Sequence, residues 1–201
     1  MYKKLIAIFM LSICSVALAT DEANQVIHEE LRGLLQGIQQ AVNEERYNDL
    51  APFFHENLRV TTINQEMISS RDEIGEYFDR WFGPEGFLQK VEMELVADTT
   101  TELYGDQSFG IVRGYGIEKY VLSDSRAYEM QTRWTATVLK SSDDKWRILT
   151  LHIGTNFLDN PILDEAENSL MYFAGGGLLA GILSMLALML IRRALVKTRQ
   201  R

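Results

Sequence analysis

Apolar residues crowd into two uncharged runs near the chain ends and a patterned stretch between them. The first run, Leu5 to Ala19, follows Lys3 and Lys4 and closes on Ala17-Leu18-Ala19. A charged start, an apolar run of this length and a small-x-small close mark a signal peptide, residues 1–19, cut after Ala19. The second run, Leu170 to Ile191, is uncharged and long enough to cross a hydrocarbon core as one helix. Asp164, Glu165 and Glu167 precede it, and Arg192, Arg193, Lys197, Arg199 and Arg201 follow it. Basic residues stay on the cytoplasmic side, so residues 192–201 form an inside tail and the domain before the helix lies outside. The expected address is a bacterial inner membrane, crossed once, with the domain in the periplasm.

Between the runs the pattern is first helical. Val26, Ile27, Leu31, Leu34, Leu35, Ile38, Ala41 and Val42 make one buried stripe. Asp49 is placed to cap a short second helix that carries Pro52 in its first turn. Leu58 to Ile63 reads as a strand, and Ser70-Arg71-Asp72-Glu73 as a capping box. The helix it opens buries Ile74, Tyr77, Phe78, Trp81 and Phe82 and stops at Gly83-Pro84. From there the period is two. Val91, Met93, Leu95 and Ala97 alternate with polar residues, Gly105-Asp106 turns the chain, and a long strand runs from Gln107 to Val121. Tyr128, Met130, Trp134, Ala136 and Val138 follow on the next strand, and Lys145 to Phe157 on the last. Helices followed by a meander predict an α+β fold for residues 20–157 with an antiparallel sheet. Residues 158–169 read as a spacer before the transmembrane helix at 170–191.

Composition narrows the chemistry. The only cysteine, Cys14, lies in the signal segment, so the mature domain has no disulfide, thiolate nucleophile or zinc–sulfur site. Its stability rests on one core, which its length allows. Leaving out Lys3, Lys4 and the five tail bases sets 28 acids against roughly 13 bases, a net charge near −15. Such a surface repels phosphate backbones, and no nucleic-acid partner is expected. His28, His55 and His152 are widely spaced with no paired-ligand spacing, so no metal or cofactor is expected.

The order of helix, short helix, strand, capped helix and meander resembles the nuclear-transport-factor-2-like superfamily, its SnoaL-like branch in particular. The resemblance rests on NEERYNDLAPFF (Asn43 to Phe54), ISSRDEIGEYF (Ile68 to Phe78) and DKWRILTLH (Asp144 to His152). It implies a curved sheet wrapped against the N-terminal helices as a cone around a cavity. The superfamily holds isomerases, cyclases, dehydratases, epoxide hydrolases and domains without catalysis, so fold does not assign chemistry. A ketosteroid-isomerase-like site implies a carboxylate base where this chain has Thr61 or Thr62. It also implies a tyrosine near Ile38 and an acid near Ala136 or Thr137. An epoxide-hydrolase-like site implies Arg-x-Asp, whereas Arg113 is followed by Gly114-Tyr115. Neither set is present.

His152, near the end of the last strand, is the candidate acid or base, with Asn156 two strand steps on along the same face. Arg113 and Tyr115 share one face of the long strand, opposite Gly110, Gly114 and Gly116. Tyr104, Tyr128, Trp134 and Trp81 are candidate aromatic lining, and His55 a candidate neighbour of the cavity. Gly177 and Gly181 make a small-xxx-small step that suits a homodimer of membrane helices. The expected function is a membrane-anchored module that binds a small apolar ligand or another chain. The alternative is a cyclase, isomerase or hydrolase using His152.

Overall fold

The computed structural model describes residues 24–199, with side chains described as far as Arg192. The expected signal peptide and the end of the basic tail lie outside the described residues. The chain divides between Asn156 and Phe157 into two compact units.

The first unit opens with helix α1, residues 24–43. Ile27, Leu31, Ala41 and Val42 are buried, with Leu34 and Ile38 packed on the core beside them. Val26, expected on the same stripe, is 60% exposed and belongs to the outer face. The expected short second helix is two 3-10 turns, Tyr47–Asp49 and Ala51–Phe53. Asp49 caps neither turn through its side chain; it takes a bond from Arg46 instead. Strand β1 (Phe54–Thr61) starts earlier than the apolar pattern suggests. Its register with the last strand shifts between Phe54 and Arg59, and an irregular stretch breaks the alternation that would mark it.

After the short β2 (Met67–Ile68) comes α2 (Asp72–Phe82). The Ser70 hydroxyl accepts from the Glu73 N–H at 3.4 Å, and the Glu73 carboxylate accepts from the Ser69 N–H at 2.7 Å. The capping box is therefore closed, with its return bond one residue upstream of the expected place. Strands β3 (Leu88–Ala97), β4 (Glu102–Tyr104), β5 (Phe109–Leu122), β6 (Ala127–Lys140) and β7 (Trp146–Thr155) follow.

The sheet order is β2-β1-β7-β6-β5-β3, with β4 also on β5. The meander from β3 to β7 is antiparallel. β1 joins β7 in parallel, a pairing between distant segments that turn signals do not carry. β3 is an edge strand, and α1 covers its free backbone groups. Asn43 accepts from the Met93 N–H at 2.7 Å and donates to the Met93 carbonyl at 2.9 Å. One helical turn earlier, Gln39 accepts from the Leu95 N–H at 2.7 Å. These bonds set α1 along one wall of the space inside the curved sheet.

The second unit is one helix, α3 (Pro161–Arg199). The Asn160 side chain accepts from the Leu163 N–H at 3.0 Å, and proline suits the first helical position. Residues 161–169, expected as spacer, are thus already helical. Pro161–Arg192 is long and apolar enough to cross a membrane.

Candidate functional site

Period-two alternation decides what faces the cavity. On β5 the inward row is Gly110, Val112, Gly114, Gly116, Glu118 and Tyr120, and on β6 it includes Trp134, Ala136 and Val138. Together with α1, α2 and the inner faces of β1, β3 and β7 they enclose a cavity of about 460 Å³. The size suits a small organic ligand. Aliphatic walls come from Leu31, Leu34, Leu35 and Ile38 on α1 and from Val91, Met93 and Leu95 on β3. Tyr77, Phe78, Trp81 and Phe82 add aromatic surface from α2. The lining reaches exposed residues at Arg32, Asn64, Thr99 and Thr100.

Two inward glycines have a definite task. A Cβ on Gly114 would lie 2.3 Å from Cζ2 of Trp134 and 2.1 Å from the Val96 carbonyl oxygen. Glycine here lets the indole lie across β5, where its Nε1 donates to the Tyr115 carbonyl at 3.0 Å. A Cβ on Gly116 would meet Thr132 Oγ1 at 2.7 Å and Glu118 Oε1 at 3.2 Å. Its absence leaves room for a hydrogen-bonded pair.

That pair is the polar feature of the cavity. Glu118 is 4% exposed, a carboxyl group on the inward row. Thr132 Oγ1 donates to Oε1 at 2.8 Å, and the Tyr120 hydroxyl donates to Oε2. Burial pushes the Glu118 carboxyl above the ordinary carboxylate range, and the bonds from Tyr120 and Thr132 oppose that rise without cancelling it. The Tyr120 phenol is pushed far up by burial and by the adjoining Glu118 carboxylate. Tyr77 is raised to about 12, first by burial and then by nearby charge that includes Glu66 and Glu118. Its hydroxyl donates to Asn64 at 3.3 Å. Glu66 accepts from Trp81 Nε1 at 2.7 Å and pairs with Arg80 at 2.9 Å. Among the described residues no cluster of potential ligands could hold a metal ion.

Of the residues singled out from sequence, Trp134 and Trp81 line this cavity, whereas His152, Asn156, Arg113, Tyr115, Tyr104, Tyr128 and His55 do not. Leu151 and Ile153 take the inward positions of β7, which leaves His152 between them exposed on the outer face. In register with it across the sheet lie Thr135 and Arg113, and Tyr115 pairs with Arg133 one row on. His152, Arg113 and Tyr115 therefore gather on the outer side of the sheet. There Asp98 receives Arg133 and approaches Arg113 at 4.0 Å. Asn156 is exposed just beyond the end of β7. Tyr128 pairs with Tyr120 in register, but its ring lies under the Arg126 guanidinium, 5.9 Å away, outside the lining. His55 accepts from the Asn57 N–H at 3.1 Å in the irregular part of β1.

Glu118, Tyr120, Tyr77 and Thr132 were absent from the sequence candidates. The signal for Glu118 was present: it continues the inward parity of Gly110, Gly114 and Gly116, and a charged residue on an inward row stands out.

No protein-family model and no curated protein matches this chain. Solved structures do. A candidate scytalone dehydratase from Novosphingobium aromaticivorans is 14% identical with a TM-score of 0.60, covering 68% of this chain and 89% of its own. A type 2 hexachlorocyclohexane dehydrochlorinase is 11% identical with a TM-score of 0.57, covering 68% and 90%. The ActVI-ORFA protein of Streptomyces coelicolor is 11% identical with a TM-score of 0.53, covering 65% and 98%. The domain has the nuclear-transport-factor-2-like fold. Likeness at such identity concerns fold alone, and the reactions named for those proteins remain theirs.

Proposed function

We propose that this chain is an exported, membrane-tethered binding module that holds one small, mostly apolar ligand inside the cone. The observation that carries the reading is the cavity of about 460 Å³, walled by aliphatic and aromatic side chains around one buried carboxyl group. Apolar burial supplies most of the affinity in such a site, and a few polar groups orient the ligand. Export rests on Lys3, Lys4 and the apolar run to Ala19; tethering rests on the apolar α3 and the bases after it. The domain then stands on the periplasmic side of a bacterial inner membrane, with the C-terminus in the cytoplasm. Catalysis by His152 loses support, because the imidazole is on the sheet face away from the cavity.

The test uses the full chain in phosphatidylcholine nanodiscs, with empty discs as the blank. Titration with 4-phenylbutan-1-ol is followed by quenching of Trp134 and Trp81, which both line the cavity. Saturable binding at one site per chain is expected. Ala136→Phe, which puts a ring into the cavity, should abolish it. Binding that survives Ala136→Phe would place the ligand elsewhere, and turnover of a bound ligand that falls in Glu118→Gln would replace binding with catalysis.

A further inference from the structure

The cavity contains a charge problem that a ligand can solve. Glu118 sits inside with both carboxylate oxygens accepting hydrogen bonds, from Thr132 and from Tyr120. Two donors aimed at one carboxyl group favour its ionised form and oppose the rise that burial imposes. Yet among the described residues no Lys, Arg or His forms an ion pair with it. Arg80 is committed to Glu66, and Arg32 in the lining pairs with Glu29. Burial without a counter-cation disfavours the charged form of the carboxyl group, and a bound cation restores it.

Two other features act in the same direction. Tyr77, Trp81, Tyr120 and Trp134 put ring surface in the lining, and the faces of such rings attract cations. The excess of acids over bases draws cations towards the domain. We propose that the ligand is an apolar molecule carrying a protonated amine, its body against the aliphatic and aromatic walls and its ammonium group on Glu118. This rests on the binding reading above, and it names the ligand class.

Three probes with one skeleton separate the two ideas: 4-phenylbutylamine, 4-phenylbutan-1-ol and 4-phenylbutyrate. Each is titrated at neutral pH into the full chain in phosphatidylcholine nanodiscs and into Glu118→Gln, again with empty discs as the blank. In the unmodified chain the amine should bind about tenfold or more tighter than the alcohol, and the carboxylate should bind weakest. In Glu118→Gln the amine should fall to the level of the alcohol, whose own affinity reports that the cavity is intact. Amine no tighter than alcohol in the unmodified chain overturns the amine assignment and leaves the binding module standing, whether or not the variant folds. An amine preference that survives in Glu118→Gln also overturns it, since surface charge would then be the cause. Absence of saturable binding by all three probes overturns the binding module and the amine assignment together.

Discussion

Replacing Gly114 with alanine puts a methyl group where the indole of Trp134 and the carbonyl of Val96 already stand. The ideal Cβ position is 2.3 Å from Cζ2 of the ring and 2.1 Å from the carbonyl oxygen. Neither neighbour yields easily. The ring is buried and held by its bond to the Tyr115 carbonyl, and the Val96 carbonyl belongs to β3, which pairs with β5 through Ala97 and Gly114. Overpacking of this kind costs about 1–3 kcal/mol. Loss of the indole hydrogen bond adds about 1 kcal/mol. The expected destabilisation is therefore about 3 kcal/mol, and at about 3–5 °C per kcal/mol for a domain of this size the midpoint falls by about 10–15 °C. Thermal unfolding of the full chain can be followed by tryptophan fluorescence, because Trp81, Trp134 and Trp146 all lie in the first unit. A loss below about 1 kcal/mol would refute the close approach. Gly114→Ala combined with Trp134→Val relieves the ring clash while the carbonyl clash stays, so the pair should be less damaging than the sum of the single changes. Strict additivity would mean that ring and methyl do not meet.

Two further outcomes follow from the buried carboxyl group and from the chain ends. Burial raises the folded pKa of Glu118 above the unfolded value near 4.5, so the folded state holds its proton more tightly. The contribution to stability is full below the unfolded pKa and declines as pH rises through the window up to the raised folded pKa. Glu118→Gln removes that decline, so the variant should gain on the unmodified chain between acid and neutral pH in paired denaturant titrations. A difference independent of pH would contradict the buried, raised carboxyl. For topology, a phosphatase reporter joined after Asn168 should be active and one joined after Arg201 inactive; the reverse pattern would sink the proposed orientation.

The elements were mostly legible in the sequence because their signals are local. The stripe of α1, the box at Ser70 to Glu73 and the alternation on β3 and β6 each follow from residues a few positions apart. The missed pieces lack such signals. β2 is two residues long, β4 three, and the irregular register of β1 hides its start. The two 3-10 turns carry the same capping and proline cues as a short helix, so the pattern could not tell them apart.

The candidate site depended on contacts that only folding creates. Parity along β7 separates His152 from Leu151 and Ile153 without saying which row is inward. That is decided when α1 and α2 cover one face of the sheet. Arg113 and Tyr115 read as site residues for the same reason, and the same closure leaves them on the outer face. Glu118 lies 14 residues from Thr132 and 41 from Tyr77 along the chain, and their meeting belongs to the sheet's register and to the seat of α2. The apolar periods, the capping, the excess of acid and the two hydrophobic ends were readable without a structure, because each is written in neighbouring residues. Packing of α1 and α2 against one sheet face settled which side is enclosed, and so buried the Glu118 carboxyl group and left the His152 imidazole on the surface.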